Sequence, residues 1–512
     1  MSTKPSTFYF PTIGTKVDDN PVLFPIDGGL FPLRKNLCVY YSKPNVHGQP
    51  VIRPSDNPDA PDSLASHFYG TVLYDEGKYR MWYLGMTVDY NPDLEAEELA
   101  EAKKRYSEIA MGPICYAESD DGINWVKPNL GKLKYKGSSN NNAIYLPDAI
   151  VHCPTIIKDE EDPDPQRRYK MVYQYFLHTE PTNHWGTMRT ATSPNGIDWT
   201  VGPRNPILEF VEHASFYKYR GVYMINGHKN SHWNRGEGGS LGGRQGYVYM
   251  STDFENWLEE TAESFTLPEP LEREKRGVEK EYTQVHLGTA PILYSTTAVG
   301  LYCIWYNHEE FGKISGDFGL VISNDGVRFH EPIKEFVYMS TEDSPIAPDV
   351  KKSYTVVLCQ ANGIINVGDE TLIYHGRWLN SGTEAQKEYA EIALATLPRD
   401  RWGAVGLYPN ETKGSLWSVP LVWPDEDFDI ILNADGAQGM RVEISDERFQ
   451  LHPQFAHASS GYVETANGLD CVVKWNHASL RQLAGETVRI RIHLEKTDDQ
   501  DPKLYAVYLK KR

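Results

Sequence analysis

A seven-residue unit that returns along the chain limits its fold more tightly than any other feature. Ser119-Asp120-Asp121-Gly122-Ile123-Asn124-Trp125 recurs as Ser193-Pro194-Asn195-Gly196-Ile197-Asp198-Trp199. Looser copies stand at Ser251-Thr252-Asp253-Phe254-Glu255-Asn256-Trp257 and Ser323-Asn324-Asp325-Gly326-Val327-Arg328-Phe329. An Asp/Asn-Gly pair supplies a tight turn between two outer strands, and the aromatic packs back on the sheet. The copies lie about 58 to 74 residues apart, longer than common solenoid repeats and suited to four-stranded propeller blades with insertions.

Each turn is preceded by a hydrophobic hairpin. The clearest is Gly70-Thr71-Val72-Leu73-Tyr74-Asp75-Glu76-Gly77-Lys78-Tyr79-Arg80-Met81-Trp82-Tyr83, with counterparts at Thr155 to Tyr173, Phe216 to Gly227, Thr289 to Tyr306 and Gly363 to Trp378. Five hairpins predict five blades, the last ending in the strand Glu391 to Leu397. Glu and Lys at helical spacing predict one exposed helix over Pro92 to Ala110. The Gly-rich residues 236 to 246 read as a loop, since no strand and helix flank them as a phosphate cradle requires. After Gly406 the pattern changes. Short runs at Leu416 to Leu421, Phe428 to Asn433, Gly439 to Ile444, Cys471 to Trp475, Thr487 to Leu494 and Leu504 to Leu509 predict a small β-sandwich. The expected organisation is all-β: an N-terminal arm leading into the first blade over 1-64, a five-bladed β-propeller over 65-405, and a C-terminal β-sandwich over 406-512.

Composition excludes several classes. The chain has 12 Trp, 32 Tyr and 17 Phe, far too many aromatics for a disordered acidic chain. A net charge of −19 with no basic block argues against nucleic acid as a partner. Apolar stretches are strand-length, so no membrane span is expected. The start Met1-Ser2-Thr3-Lys4-Pro5 has no apolar core, which predicts a cytoplasmic protein without a secretory signal. Six widely spaced cysteines without a CxxC pair read as buried free thiols.

The hairpin-plus-turn grammar resembles the five-bladed propellers of the invertase, levansucrase and arabinanase clan of glycoside hydrolases. Phe68-Tyr69-Gly70-Thr71-Val72-Leu73-Tyr74 followed by Gly77-Lys78-Tyr79 is similar to that clan's first-blade hairpin, and a trailing β-sandwich recurs in its invertase-like branch. The resemblance implies three carboxylates at the inner ends of blades one to three, as nucleophile or base, transition-state stabiliser and general acid. Aligned by hairpin, the nucleophile slot holds His67, and the stabiliser slot reads His152-Cys153-Pro154. Only the acid slot keeps its carboxylate, as Glu212.

What stands in those slots forms its own pattern. His67 lies three residues before Gly70, His152 three before Thr155, His213 three before Phe216 and His286 three before Thr289; the fifth equivalent is Gln360. Only 16 of 512 residues are histidine, so four in five equivalent positions is far from chance. Positions equivalent by hairpin face one propeller axis, and converging neutral imidazoles suit a divalent zinc, iron or manganese ion. The expected ligands are therefore His67, His152, His213 and His286. A metal-bound water would replace the missing nucleophile. The same residues could instead bond sugar hydroxyls or backbone without a metal.

The expected function is cleavage of a glycosidic bond in a small-molecule or oligosaccharide substrate, by hydrolysis or metal-assisted elimination. Glu212 would be the general acid/base, with His213 and His67 also catalytic. Tyr69, Gln360, Asn362, His375 and Trp233 are the expected substrate contacts, with Gln284, Asn366, His228 and His232 near the same mouth. Arg189, Arg244 and Arg377 could hold an anionic group, although surface arginines are common. Two alternatives stand beside this one: a metal-dependent oxygenase, lyase, isomerase or cyclase on the same scaffold, and a non-catalytic sugar-binding propeller. A homo-oligomer is compatible with all three.

Overall fold

The structure is a computed structural model that describes residues 5–17, 20–87, 93, 100, 110–148, 151–175, 187–209, 211–230, 244–265, 283–307, 314–334, 336–350, 356–379, 388–497 and 500–512. Most of the helix expected over Pro92 to Ala110, and most of the Gly-rich loop, lie outside these residues. No helix among the described residues is long and apolar enough to cross a membrane.

From Ala65 to Pro398 the chain forms five antiparallel units. Unit one comprises Ala65–Asp75, Lys78–Thr87 and Ala110–Ser119. Unit two is Val151–Lys158, Tyr169–Tyr175 and Thr187–Ser193, with Thr200–Val201 and Leu208–Glu209 on its outer edge. Unit three runs Glu212–Tyr219, Val222–Asn230, Arg244–Ser251 and Ala262–Phe265. Unit four runs Thr283–Leu293, Ala298–Asn307, Ile314–Ser323 and Val337–Met339. In unit five the inner strand is split into Val356–Cys359 and Ile364–Val367, both pairing with Glu370–Leu379, which pairs in turn with Tyr389–Pro398.

The inner strands touch in cyclic order, from Ala65–Asp75 through Val151–Lys158, Glu212–Tyr219 and Thr283–Leu293 to Ile364–Val367, which returns to Ala65–Asp75. This closed ring of sheets is a β-propeller, and each unit is a blade. Flanked by neighbours on both faces, middle strands such as Lys78–Thr87 are buried almost throughout and read as near-continuous apolar runs. Asn362 braces the axis: its peptide bonds reach Gly70 and Val72 of blade one, and its Nδ2 donates to the Phe216 carbonyl of blade three at 2.7 Å.

The repeated turns sit at the outer ends of the blades. Glycines 122, 196 and 326 all take φ near +75°, the left-handed conformation such a turn requires. Their carbonyls also join blades: Trp82 Nε1 donates to Gly196, Tyr374 to Gly122 and Tyr217 to Gly326.

The N-terminal residues do not form a separate arm. Phe8–Phe10, Thr15–Val17 and Leu33–Lys35 join one sheet of the C-terminal sandwich, while Val22–Leu23 and Leu37–Tyr41 join the other. The reason is burial, since Phe8, Phe10, Leu23, Leu30 and Phe31 complete the apolar core between the two sheets. The sandwich takes up the chain again at Gly403–Leu407. Between these, Asn45–Val46 adds the outermost strand to blade five, so the N-terminal segment ties the ring to the sandwich.

Candidate functional site

Each expected histidine sits on a β-bulge. Pairing of the inner strand with its neighbour slips between His67 and Thr71, His152 and Thr155, His213 and Ser215, and His286 and Thr289. The split in blade five falls at Gln360, the fifth equivalent. A bulge adds unpaired residues to one strand and re-aims side chains, so the inner end of each blade departs from the regular pleat at one place.

Tyr69 stands in the middle of the group. Its ring centroid is 3.8 Å from that of His67, 4.8 Å from His152 and 6.4 Å from His286. Trp305 lies 4.4 Å from His286, and Trp378 lies 5.2 Å from His67. Glu212 faces the same group, with Oε2 3.1 Å from His228 Nε2 and Oε1 3.8 Å from His286 Nε2. Its side chain keeps 20% of its exposure, whereas the histidines are almost fully buried.

The imidazoles are committed differently. His152 Nδ1 lies 2.9 Å from Gln174 Oε1; because Gln174 Nε2 donates to the Val211 carbonyl, the amide orientation is fixed and His152 Nδ1 is the donor. His213 Nε2 is 2.8 Å from Thr155 Oγ1. Among the described residues, neither ring nitrogen of His67 has a hydrogen-bond partner. Burial drives the pKa of His67 and of His213 down to about 3, helped by the neighbouring His152 and opposed by Glu212. Burial also lowers His152. These rings are therefore neutral at pH 7. Burial raises the thiols of Cys153 and Cys359, which keeps them protonated.

The expected metal set of His67, His152, His213 and His286 is not shown as one cluster. Among the described residues, no group of three or more His, Cys, Asp or Glu side chains is placed to hold one ion. The ring of Tyr69 lies beside those of His67, His152 and His286, and Thr155 Oγ1 stands 2.8 Å from the Nε2 of His213.

Other expected contacts are also relocated. His375 is fully buried away from this group, with Nε2 2.7 Å from Ser344 Oγ and its ring against Phe318. Arg377 bonds Ser344 and Glu391 in the same buried network. Asn362 is a brace between blades, and Asn366 bonds Asp400. Gln360 spends its amide on the carbonyls of His286 and Gly288, at 2.7 and 2.6 Å. Arg189 pairs with Asp148. Trp233, His232 and the side chains of Gln284 and Arg244 lie outside the described residues. Gln174, Trp305 and Trp378 were not singled out in the sequence. Gln174 was within reach of it, because it is the cross-strand partner of His152 in the hairpin.

No family model and no curated protein matches the chain. Among solved structures it is similar to a glycosyl hydrolase from Bacteroides ovatus, at 13% identity and a TM-score of 0.43, over 71% of this chain and 95% of that one. It is also similar to a structure described with the GH130 mannoside phosphorylases, a family said to contain hydrolases of β-1,2 mannosidic linkages in Candida mannan (14%, TM-score 0.41, 71% and 95%). A third is a family 43 arabinoxylan arabinofuranohydrolase from Bacillus subtilis (9%, TM-score 0.38, 91% and 99%).

Proposed function

We propose that this propeller is a carbohydrate-active enzyme that cleaves a glycosidic bond, with Glu212 as the general acid/base. The observation that carries it is the placement of Glu212: a half-buried carboxylate at the inner end of blade three, with one oxygen against His228 and the other towards His286. That is the acid slot implied by the resemblance of the hairpins. A carboxyl group held this way can protonate a departing glycosidic oxygen and then take a proton back from water. Trp378, partly exposed beside His67, supplies a flat apolar face on which a pyranose ring can stack. His67, neutral and without a partner among the described residues, offers one donor and one acceptor, the pair a sugar hydroxyl or an attacking water takes up. No step is assigned to a metal.

A second reading, a propeller that binds sugar without cleaving it, is favoured by histidines in two of the three slots where the resemblance implies carboxylates. One experiment separates them. The full chain is screened with p-nitrophenyl glycosides and with plant and yeast oligosaccharides, reading both product and binding by calorimetry. Turnover that falls by about 10²- to 10⁴-fold in Glu212→Gln supports the acid/base role. Binding with no turnover establishes the second reading, and turnover unaltered in Glu212→Gln removes the first.

A further inference from the structure

We propose that His228 is the positioning residue of Glu212, and that the left-handed bulge at His286–Thr289 in the neighbouring blade locks His228 in the tautomer this requires. The inference rests on the reading of Glu212 as the proton-transfer group.

The pairing begins in the hairpin of blade three. From the Arg220-Gly221 turn, Tyr219 pairs with Val222, and the register runs unbroken to Ser215 and Asn226. Continued unchanged, it would set Glu212 against Lys229. The bulge between His213 and Ser215 shifts it by one, so Glu212 pairs with His228 and both side chains project on one face. His228 is 6% exposed.

The tautomer follows from the other ring nitrogen. The peptide N–H of Leu287 donates to His228 Nδ1 at 2.7 Å. A peptide N–H cannot accept, so Nδ1 carries the lone pair and the proton of the neutral ring sits on Nε2. That N–H faces Glu212 Oε2 at 3.1 Å. A donor aimed at one carboxyl oxygen fixes the plane of the group.

The amide that sets this tautomer is held at a cost. Leu287 has φ +65° and Gly288 φ +92°, and the left-handed conformation is disfavoured for leucine. A Cβ on Gly288 would meet Asn226 Oδ1 at 2.6 Å and the Gly227 backbone at 2.9 Å, so glycine is required there. Three contacts keep the bulge in place: Gln360 Nε2 on the carbonyls of His286 and Gly288, and the Thr289 amide on Asn226 Oδ1 at 2.9 Å. Gln360, the one position of the five without histidine, thus belongs to blade five's grip on this bulge.

The test uses full-length protein labelled with ¹⁵N in the histidine rings. The expected spectrum at pH 7 shows the His228 signals, assigned by their loss in His228→Phe, with a bare Nδ1 and a protonated Nε2, unchanged in Glu212→Gln because Leu287 sets them. With p-nitrophenyl glycosides as probe, His228→Phe is expected to lower kcat about 10- to 100-fold with KM within about twofold. His228→Gln, which keeps an N–H of similar reach, is expected to recover most of that loss. A protonated Nδ1 in the wild type overturns the proposal, as does a folded His228→Phe whose kcat stays within about threefold of wild type. If no aryl glycoside is turned over, the reading of Glu212 as a glycosidase acid loses its support, while the ¹⁵N spectrum still decides the tautomer.

Discussion

In the outer turns of the first four blades, the same atoms meet in every copy. The hydroxyls of Ser119, Ser193, Ser251 and Ser323 accept the amides two and three residues on, at 2.9 to 3.3 Å. Asp121, Asn195, Asp253 and Asp325 each accept the next pair of amides through Oδ1. Three of the turns close with a Trp Nε1 on the central carbonyl. At the inner ends, four histidines occupy equivalent bulges, yet each has its own surroundings: Tyr69 for His67, Gln174 for His152, Thr155 for His213 and Trp305 for His286. Repetition of both sequence and contacts marks a part that builds blades. Repetition of residue type with diverging contacts marks the end where the blades were specialised.

The largest effect expected from this contrast is at Glu212. Glu212→Gln should cost about 10²- to 10⁴-fold in kcat while moving the melting temperature little, since the side chain keeps partial exposure. Steady-state rates beside thermal melts check it. A variant that loses folding and turnover together would place Glu212 with the structural repeats instead.

Acid should separate the two rims by pH window. His67, His213 and His375 have pKa values of about 3 in the fold against about 6.5 unfolded, because burial disfavours the charged ring. The unfolded chain therefore binds protons first. Stability from keeping these rings neutral is full above pH 6.5 and is lost as pH falls from there towards 3. In the outer turns, amide donors hold Asp121 and Asp253 below the ordinary carboxylate range, so their contribution is present above about pH 3.8 and is lost only below it. Melting temperatures should fall between pH 6.5 and 4.5 in the wild type and in Asp121→Asn alike. A flat profile across that interval would contradict the buried neutral rings.

Phe254 sharpens the comparison within the outer rim. It occupies the glycine position of the third copy with φ +69°, is 2% exposed, and packs on Phe216 and Tyr223. Phe254→Gly restores the consensus of the other turns and relieves about 1 to 2 kcal/mol of strain. It also empties an aromatic site whose loss costs about 3 to 5 kcal/mol. A net destabilisation of about 2 to 3 kcal/mol by urea unfolding is expected. A stabilised variant would show that backbone strain, not packing, governs this turn. Asp121→Ala should cost less, about 1 kcal/mol, because the exposed amides it releases are met by water.

These differences also account for what could be read from the chain beforehand. The turns were legible because Asp-Gly chemistry acts within seven residues. The histidine register was legible because hairpins supply a ruler. Their partners were not, since each bulge slips the pairing by one or two residues, enough to set Glu212 against His228 instead of Lys229. Nor was the fate of the N-terminal segment. Tyr9 pairs with Val422 and Val22 with Tyr508, and no local pattern announces strands whose partners lie at the far end of the chain.

The smallest expected effect concerns metal. Four equivalent histidines suggest a shared ion, and in the outer turns equivalence of position did mean equivalence of role. At the inner end no group of three such ligands is seen among the described residues. A ligand histidine needs a lone pair aimed at a point common to its fellows, and here His67 and His152 stand against Tyr69, with His213 Nε2 against Thr155. Dialysis against EDTA should therefore leave both the melting temperature and the turnover of any glycoside probe within error, and Tyr69→Ala should not create a tight zinc site, because it removes the wedge without re-aiming the rings. A melting temperature that drops on chelation and returns with zinc, iron or manganese would show that the four bulges act together after all, and would move the inner rim to the same rule as the outer one.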